Sequence, residues 1–181
     1  MKEEVIIAGF GGQGVLSMGK ILAHSAVAEG YEVSWMPSYG PEMRGGTANV
    51  TVVMSDHPIS SPIVTECDVA VVLNSQALDK FEQMVRPGGV LIYDLGGVAR
   101  RPVRKDIEVW STDAAVRAAE MGNSKLFNML ILGAYLHLRP VVSIESVREG
   151  LLHTLSERAL DMLDRNVEAV VHGGEIVNRL S

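Results

Sequence analysis

A chain of 181 residues with 47% apolar and 21% charged residues has the length and composition of one soluble globular domain, which excludes a disordered protein. Its net charge of −6 provides no general basic field for nucleic acid. The single cysteine, Cys67, excludes a disulfide framework and any iron-sulfur cluster or zinc site held by cysteines of this chain alone, so a reducing cytoplasm is the expected setting.

The first predicted element is a strand that runs into a glycine cluster and then into a helix. Residues 5–8 are apolar, and residues 15–29 follow a helical spacing that stops at Gly30. Glycines allow a positive φ and the close approach of a phosphate, while the first amides of a helix point outward unpaired. The turn is therefore either an anion site of the G-x-G-x-x-G type or a place of close packing. The residues concerned are Gly9, Gly11, Gly12, Gln13 and Gly14.

The second predicted strand, residues 31–36, leads into a loop of unusual composition. A dinucleotide site usually has an acidic residue at the end of this strand, but residues 34–38 contain no carboxylate. The loop instead combines prolines and glycines, which favour a fixed irregular shape, with a phenol, a carboxylate and a guanidinium. The predicted site residues here are Ser38, Tyr39, Gly40, Pro41, Glu42, Arg44, Gly45 and Gly46.

Strands and helices alternate through the next part of the chain. Apolar or β-rich runs predict strands at residues 47–54, 67–74, 90–94 and 107–111, with a helix over residues 76–85 that Ser75 is expected to cap. This alternation predicts an α/β fold with a largely parallel sheet and a Rossmann-like glycine turn after its first strand.

The last third of the chain is predicted to be helical. Helices are expected over residues 113–121, 124–138 and 144–172, the last broken near residues 154–156. The longest apolar run, residues 126–138, is too short to cross a bilayer, and no signal peptide precedes the first strand. The simplest organisation is a single domain over residues 1–181 with no membrane segment.

Few residues offer catalytic chemistry of their own. There is no G-x-S-x-G elbow, no P-loop lysine and no His-Glu-x-x-His pair, and the five histidines are scattered. Asp94 is a site candidate because it ends a predicted strand at the carboxyl edge of the sheet, where ligands of open α/β sheets bind. A short basic cluster at residues 100–105 is interpreted as a solvated loop, with an anion site as the alternative.

The glycine turn and the second loop both follow strands, so we expect them to share the carboxyl edge of the sheet. Such a rim offers backbone amides, an amide side chain and a guanidinium that can hold an anionic, phosphate-bearing ligand. An internal ion pair between Glu42 and Arg44 that only shapes the loop is the alternative. None of these groups is an obvious nucleophile or redox centre.

The two motifs together resemble the gamma subunit of the 2-oxoacid:ferredoxin oxidoreductases. The resemblance rests on Gly-Phe-Gly-Gly-Gln-Gly-Val at residues 9–15 and on Pro-Ser-Tyr-Gly-Pro-Glu-Met-Arg-Gly-Gly-Thr-Ala-Asn at residues 37–49. It continues through the strand at residues 68–74, the Pro-Gly-Gly turn at residues 87–89 and the helix around residues 122–130. It therefore spans most of the chain.

The resemblance implies an oxidoreductase complex that decarboxylates a 2-oxo acid, forms acyl-coenzyme A and reduces ferredoxin. Thiamine diphosphate, magnesium and iron-sulfur clusters would belong to alpha, beta and ferredoxin-like delta subunits, since this chain lacks a Gly-Asp-Gly…Asn pattern and cluster cysteines. This chain would supply no catalytic residue and no metal ligand. It would contribute a subunit interface and a contact for the phosphates of coenzyme A.

Two other functions stay open at this point. One is a stand-alone nucleotide-binding oxidoreductase, which the glycine turn permits and the absent ribose carboxylate disfavours. The other is a structural assembly subunit whose glycine turn serves packing alone. The choice among pyruvate, 2-oxoglutarate and branched-chain substrates is not readable from this chain, and an isolated chain is expected to self-associate through its exposed interface.

Overall fold

The computed structural model describes residues 1–40 and 46–180. Its seven described strands form one sheet in the order β2-β3-β1-β4-β5-β6-β7. The strands are β1 (Lys2–Phe10), β2 (Glu32–Tyr39), β3 (Thr47–Ser55), β4 (Cys67–Val72), β5 (Val85–Asp94), β6 (Glu108–Thr112) and β7 (Val177–Arg179). Strands β1, β4, β5 and β6 are neighbours and parallel, whereas β3 and β7 run antiparallel to the strands beside them. The structure thus confirms the α/β fold with a largely parallel sheet.

The six α-helices of the described ranges cover the two faces of the sheet unequally. They are α1 (Val15–Ala28), α2 (Ser75–Phe81), α3 (Ala114–Glu120), α4 (Phe127–Leu138), α5 (Ile144–Thr154) and α6 (Leu163–Gly173). One hydrophobic core joins the sheet to α1, α3, α4, α5 and α6, and the core on the opposite face includes α2 as its only described helix. The predicted helical C-terminal third and its break after Thr154 are confirmed.

The central strands are buried because both of their faces are covered. Val5, Ile6, Ile7 and Ala8 in β1 are at most 2% exposed, as expected of a strand inside a parallel sheet. Each of the three larger side chains, Val5, Ile6 and Ile7, contributes about 1.5 to 3 kcal/mol through removal from water. Helix α4 packs closely on α6, since a Cβ at Gly133 would lie 1.9 Å from the carbonyl oxygen of Val170.

Several predicted boundaries were wrong. The helix predicted over residues 76–85 ends at Phe81, and the strand predicted over residues 90–94 begins at Val85. Pro37 was expected to end the second strand, but β2 continues to Tyr39 because it lies at the edge of the sheet, where a missing N–H needs no partner. Ser75 was expected to cap the next helix, but Asn74 does so, and its Oδ1 accepts a hydrogen bond from the amide of Ala77 at 2.7 Å. Strand β7 was not predicted.

The amino edge of the sheet contains a network of buried charges. Glu3 is 1% exposed and accepts two hydrogen bonds from the Arg139 guanidinium, at 2.9 and 2.5 Å. Arg86 bridges Glu4 and Asp68, with 3.0 Å between its Nη1 and the Asp68 Oδ1. These pairs join β1 to α4 and to β4 and β5. Across the described ranges, no helix has both the length and the apolarity needed to cross a membrane.

Candidate functional site

The glycine turn and the described ends of the second loop, Gly40 and Gly46, lie at the carboxyl edge of the sheet, as expected. Phe10 pairs with Thr47 across β1 and β3, and Tyr39 pairs with Ala48 across β2 and β3. Beyond these pairs the amide of Gly11 donates to the carbonyl oxygen of Gly46 at 2.9 Å. Strand β3 thus acts as a return strand that brings the ends of β1 and β2 to one edge.

The side chain of Gln13 holds the glycine turn together. Its Oε1 accepts a hydrogen bond from the amide of Phe10 at 2.6 Å, and its Nε2 donates to the carbonyl oxygen of Leu73 at 3.3 Å. Both ends of the amide therefore bind the chain itself. A ligand at this turn would meet backbone groups rather than a free Gln13 side chain.

The glycines of the turn fall into two groups. Gly9 and Gly14 serve packing, since a Cβ at Gly9 would lie 2.5 Å from the Gln13 Oε1 and one at Gly14 would lie 2.4 Å from the Asn128 Nδ2. Gly12 has a φ of 93° and no atom near its missing Cβ, so it faces open space. The two alternatives for this turn, close packing and ligand approach, thus apply to different residues.

An open cleft of about 440 Å³ lies beside the turn. The start of α1 forms one wall, the loop after β5 forms a second, and the segment before α4 forms a third. Lys125 is exposed at the edge of the cleft. It is the only lysine or arginine among the described residues that line the cleft. The cleft is lined by Gly12, Gln13, Gly14, Asp94, Gly96, Gly97, Ala115, Ser124, Lys125, Phe127 and Asn128.

Asp94 lines this cleft and is 2% exposed. Burial raises the pKa of its carboxyl, while hydrogen bonds from the Thr112 hydroxyl and from the backbone amides of Gly96, Ala114 and Gly97 oppose that rise. The hydroxyl of Thr112 donates to the Asp94 Oδ1 at 3.3 Å. Asp94 thereby fixes the loop after β5 and the start of α3, which shapes the cleft wall.

The predicted loop residues are only partly described. Ser38 and Tyr39 belong to β2, where the Tyr39 side chain is 69% exposed, and the amide of Gly40 donates to the carbonyl oxygen of Thr47 at 2.8 Å. Gly46 accepts the hydrogen bond from Gly11. The predicted site residues Pro41, Glu42, Arg44 and Gly45 lie outside the described residues, so their role stays a prediction.

The site offers binding groups rather than reacting groups. Within residues 1–40 and 46–180 no cluster of histidine, cysteine, aspartate and glutamate is arranged to hold a metal ion. Burial, as the largest effect, raises the pKa of the Cys67 thiol to about 12, so it is not a nucleophile at neutral pH. Backbone amides and one exposed lysine suit recognition of an anion, whereas the buried Asp94 carboxyl shapes the cleft wall.

Sequence reasoning missed the wall that precedes α4. Ser124, Lys125 and Asn128 lie more than a hundred residues from the glycine turn in the chain, yet the Asn128 Nδ2 donates to the carbonyl oxygen of Gly14 at 3.3 Å. A polar Asn128 inside the apolar run of α4 was the one local signal of this contact.

Comparisons with known proteins agree on one family. Residues 4–176 match the family described as pyruvate ferredoxin/flavodoxin oxidoreductase. The chain is 40% identical over 174 residues to the ketoisovalerate oxidoreductase subunit VorA of Methanothermobacter thermautotrophicus, a match that covers 91% of this chain and 35% of the relative. The chain therefore spans about a third of the length of that relative.

Other relatives match over nearly their whole length. The chain is 32% identical over 183 residues to the 2-oxoglutarate synthase subunit KorC of Methanocaldococcus jannaschii, which covers 99% of this chain and 96% of the relative. A crystal structure of the keto/oxoacid ferredoxin oxidoreductase gamma subunit from Geobacter sulfurreducens superimposes with a TM-score of 0.83 and 26% identity, over 98% of this chain and 99% of that one.

A further solved structure carries ligands. The 2-oxoglutarate:ferredoxin oxidoreductase from Magnetococcus marinus, with 2-oxoglutarate, coenzyme A and succinyl-CoA bound, superimposes with a TM-score of 0.86 and 25% identity. That match covers 96% of this chain and 30% of the other chain. The fold thus occurs both as a separate polypeptide and as part of a longer one.

Proposed function

Because this chain belongs to the pyruvate ferredoxin/flavodoxin oxidoreductase family, we propose that it is the gamma unit of a 2-oxoacid:ferredoxin oxidoreductase. The complex decarboxylates a 2-oxo acid oxidatively, transfers the acyl group to coenzyme A and reduces ferredoxin, all in the cytoplasm. The names of the relatives, which include ketoisovalerate and 2-oxoglutarate enzymes, support this reaction class and leave the individual 2-oxo acid open.

The redox and carbanion chemistry is proposed to belong to other polypeptides. Alpha and beta subunits carry thiamine diphosphate and magnesium, and a ferredoxin-like delta subunit carries iron-sulfur clusters that pass electrons to ferredoxin. The donor set of this chain supports that division, because its single cysteine is fully buried and cannot supply the four thiolates of a cluster. In this proposal the present chain binds and positions a ligand and covers part of the catalytic subunits.

The cleft at the carboxyl edge is proposed to hold coenzyme A. The observation that carries this proposal is that the start of α1, with the open backbone of Gly12, and the Lys125 side chain line the same space. Helix N-terminal amides and a lysine are ordinary ligands for phosphate groups. A structural neighbour with coenzyme A bound supports the same ligand class.

The second loop is proposed to contact the catalytic subunits. Tyr39 is exposed at the end of the edge strand, and Trp35 and Met36 on the same strand are 38% and 39% exposed. Exposed apolar side chains beside an irregular loop are typical of an interface. By sequence, Glu42 and Arg44 would add a charged pair to this surface, and the hydrogen bond between Gly11 and Gly46 would join the interface to the cleft.

The proposal is tested by turnover with and without the partner polypeptides. The purified chain is mixed with a 2-oxo acid, coenzyme A and a viologen dye, and dye reduction is compared with that of the complex that co-purifies with it. We expect no reduction by the chain alone and acyl-coenzyme A formation by the complex. Turnover by the chain alone, or a complex that forms no acyl-coenzyme A, would contradict the proposal.

The second candidate function, a stand-alone nucleotide-binding oxidoreductase, is distinguished from the proposed one by which ligand the chain binds more tightly. The G-x-G-x-x-G spacing of Gly9, Gly11 and Gly14 is the observation in its favour. Fluorescence titration of the isolated chain with NADH, beside a calorimetric titration with coenzyme A, compares the two ligands directly. We expect coenzyme A to bind more tightly, whereas tighter NADH binding would favour the second function.

A further inference from the structure

A second concave surface lies on the sparsely covered face of the sheet, away from the cleft described above. Among the described helices α2 alone packs on this face, so the β6 end of the sheet has no helix over it. A groove of about 560 Å³ is formed there by the segment before β6, by β6 itself and by the segment after β7. Its volume exceeds the 440 Å³ of the cleft at the carboxyl edge.

The floor of this groove is apolar. Ile107, Val109 and Leu180 line it and are only partly buried against the core that contains α2. Val103 stands at the rim with its side chain 66% exposed. Aliphatic side chains grouped around one groove present a continuous apolar surface, which is unfavourable in water unless something covers it.

The basic loop at the rim is fixed by a buried carboxylate. The Glu82 side chain is 2% exposed, and its Oε1 accepts hydrogen bonds from the amides of Val103 at 2.5 Å and Arg104 at 3.0 Å. Its Oε2 accepts a hydrogen bond from the Arg100 guanidinium at 2.9 Å. The predicted solvated loop is therefore tethered to the body of the chain through Arg100 and Arg104, while Arg101 and Lys105 are exposed to solvent.

Two cations of the same loop are left for a partner. Arg101 and Lys105 line the groove and are exposed, and neither forms an ion pair with any other residue that the structure describes. In a chain with a net charge of −6, such a local excess of positive charge is unusual. Charge complementarity therefore favours an acidic occupant with apolar side chains.

A polypeptide occupant is favoured over a small anion because the proposed function places this chain among other subunits. An extended segment can cover the floor that Ile107, Val109 and Leu180 form while its carboxylates face both cations.

We propose that this groove binds an acidic, apolar-containing segment of a partner subunit, with Arg101 and Lys105 facing its carboxylates. The inference rests on the proposed function only in that the chain acts within a complex. The apolar side chains of the segment cover Ile107 and Val109. This surface shares no lining residue with the coenzyme A cleft, and β2 lies at the opposite edge of the sheet.

Site-specific crosslinking tests the proposal in the assembled complex. Cys67 is fully buried with its thiol pKa raised to about 12, so a Val103→Cys variant carries one reactive thiol for a benzophenone maleimide. After irradiation, mass spectrometry is expected to find the label attached to an acidic segment of another polypeptide. A Val171→Cys variant, 55% exposed on α6, is the matched control and should give a much lower yield.

Charge reversal tests the role of the two cations. Arg101→Glu with Lys105→Glu should lower the crosslinking yield of the Val103→Cys complex about tenfold at low salt. Lys20→Glu with Arg158→Glu changes the net charge equally at exposed positions outside the groove and should leave the yield unchanged.

The outcomes separate this inference from the proposed function. No crosslink above the control, a crosslink to a non-acidic segment or to a second copy of this chain, or an unchanged yield after charge reversal would overturn the groove assignment. A groove that binds sodium dodecanoate and crosslinks to no polypeptide would assign it to a small amphiphilic anion instead. An acidic crosslink in a complex that forms no acyl-coenzyme A would overturn the proposed function alone.

Discussion

The two edges of the sheet use their polar groups in opposite ways. At the amino edge, largely buried carboxylates pair with half-exposed arginines, as in Glu3 with Arg139 and in Arg86 between Glu4 and Asp68. At the carboxyl edge the chain turns on glycines, and the Gln13 amide binds the chain itself. The cleft there is lined by backbone amides, one exposed lysine and the polar side chains of Asp94, Ser124 and Asn128.

This difference separates stability from recognition. Removing one partner of a buried ion pair leaves the other charge buried without its counterion. Substitutions at the amino edge should therefore lower the stability of the fold without changing ligand binding. The carboxyl edge leaves groups open to a ligand, so changes there should alter binding more than stability. Four sets of variants test this separation, from the largest expected effect to the smallest.

Arg139→Ala should give the largest loss of stability. It leaves the Glu3 carboxylate buried without its cation, and since the Arg139 side chain is 42% exposed we expect a loss of about 2 to 3 kcal/mol, below that of a fully buried pair. Urea unfolding measures the change. Glu3→Leu with Arg139→Met removes both charges and should recover much of the loss, whereas a double variant less stable than Arg139→Ala would refute the account.

Gly14→Ala and Gly12→Ala form a matched pair inside the glycine turn. Both positions have a positive φ, at 76° and 93°, so each alanine costs about 1 kcal/mol of backbone strain. Only Gly14→Ala also meets Asn128, so its total loss should reach about 2 kcal/mol. Thermal unfolding gives both values, and equal losses would show that Asn128 does not restrict this position.

Lys125→Ala should change binding with little effect on stability. Removal of one charge-assisted contact to a phosphate is expected to raise the KM for coenzyme A about fivefold in the complex, with kcat unchanged. Lys80→Ala, on α2 at a distance from the cleft, provides the control. An unchanged KM, or a fall in kcat alone, would remove Lys125 from the coenzyme A site.

Asp94→Asn should have the smallest effect, seen as a change in pH dependence. Burial raises the pKa of the Asp94 carboxyl above 3.8, so the folded state holds the proton more tightly than the unfolded state. Its contribution to stability is present below the unfolded pKa and is lost as the pH rises through the folded value. Urea unfolding from about pH 3 to about pH 7 measures the free energy of unfolding of both proteins. The value for the asparagine variant should rise relative to that of the original protein as the pH rises. A constant difference between the two proteins would contradict this.

The local parts of the fold were predictable from the sequence. The strand, glycine turn and helix around residues 5–29 follow from an apolar run, glycine spacing and helical periodicity, and Gly30 has the positive φ, 87°, expected after a helix. The shared edge of the two loops also followed from strand direction, although β3 returns antiparallel between them.

Contacts between distant parts of the chain were not predictable. Glu3 and Arg139 lie 136 residues apart, and no local pattern marks them as a buried pair. The engagement of the Gln13 amide with Leu73, the position of Lys125 in the cleft and the three-residue β7 likewise depend on which elements become neighbours. Such neighbours are set by the order of strands in the sheet, which sequence periodicity does not encode.

Hydrogen exchange of the assembled complex, with and without coenzyme A, tests the central claim most directly. If the carboxyl edge holds the phosphates of coenzyme A, amides in the peptides that contain Gly12, Gly96 and Lys125 should exchange more slowly when coenzyme A is present. Peptides around Glu3 and Arg139 should not change. Protection confined to other polypeptides of the complex, with no change in these three peptides, would contradict the account.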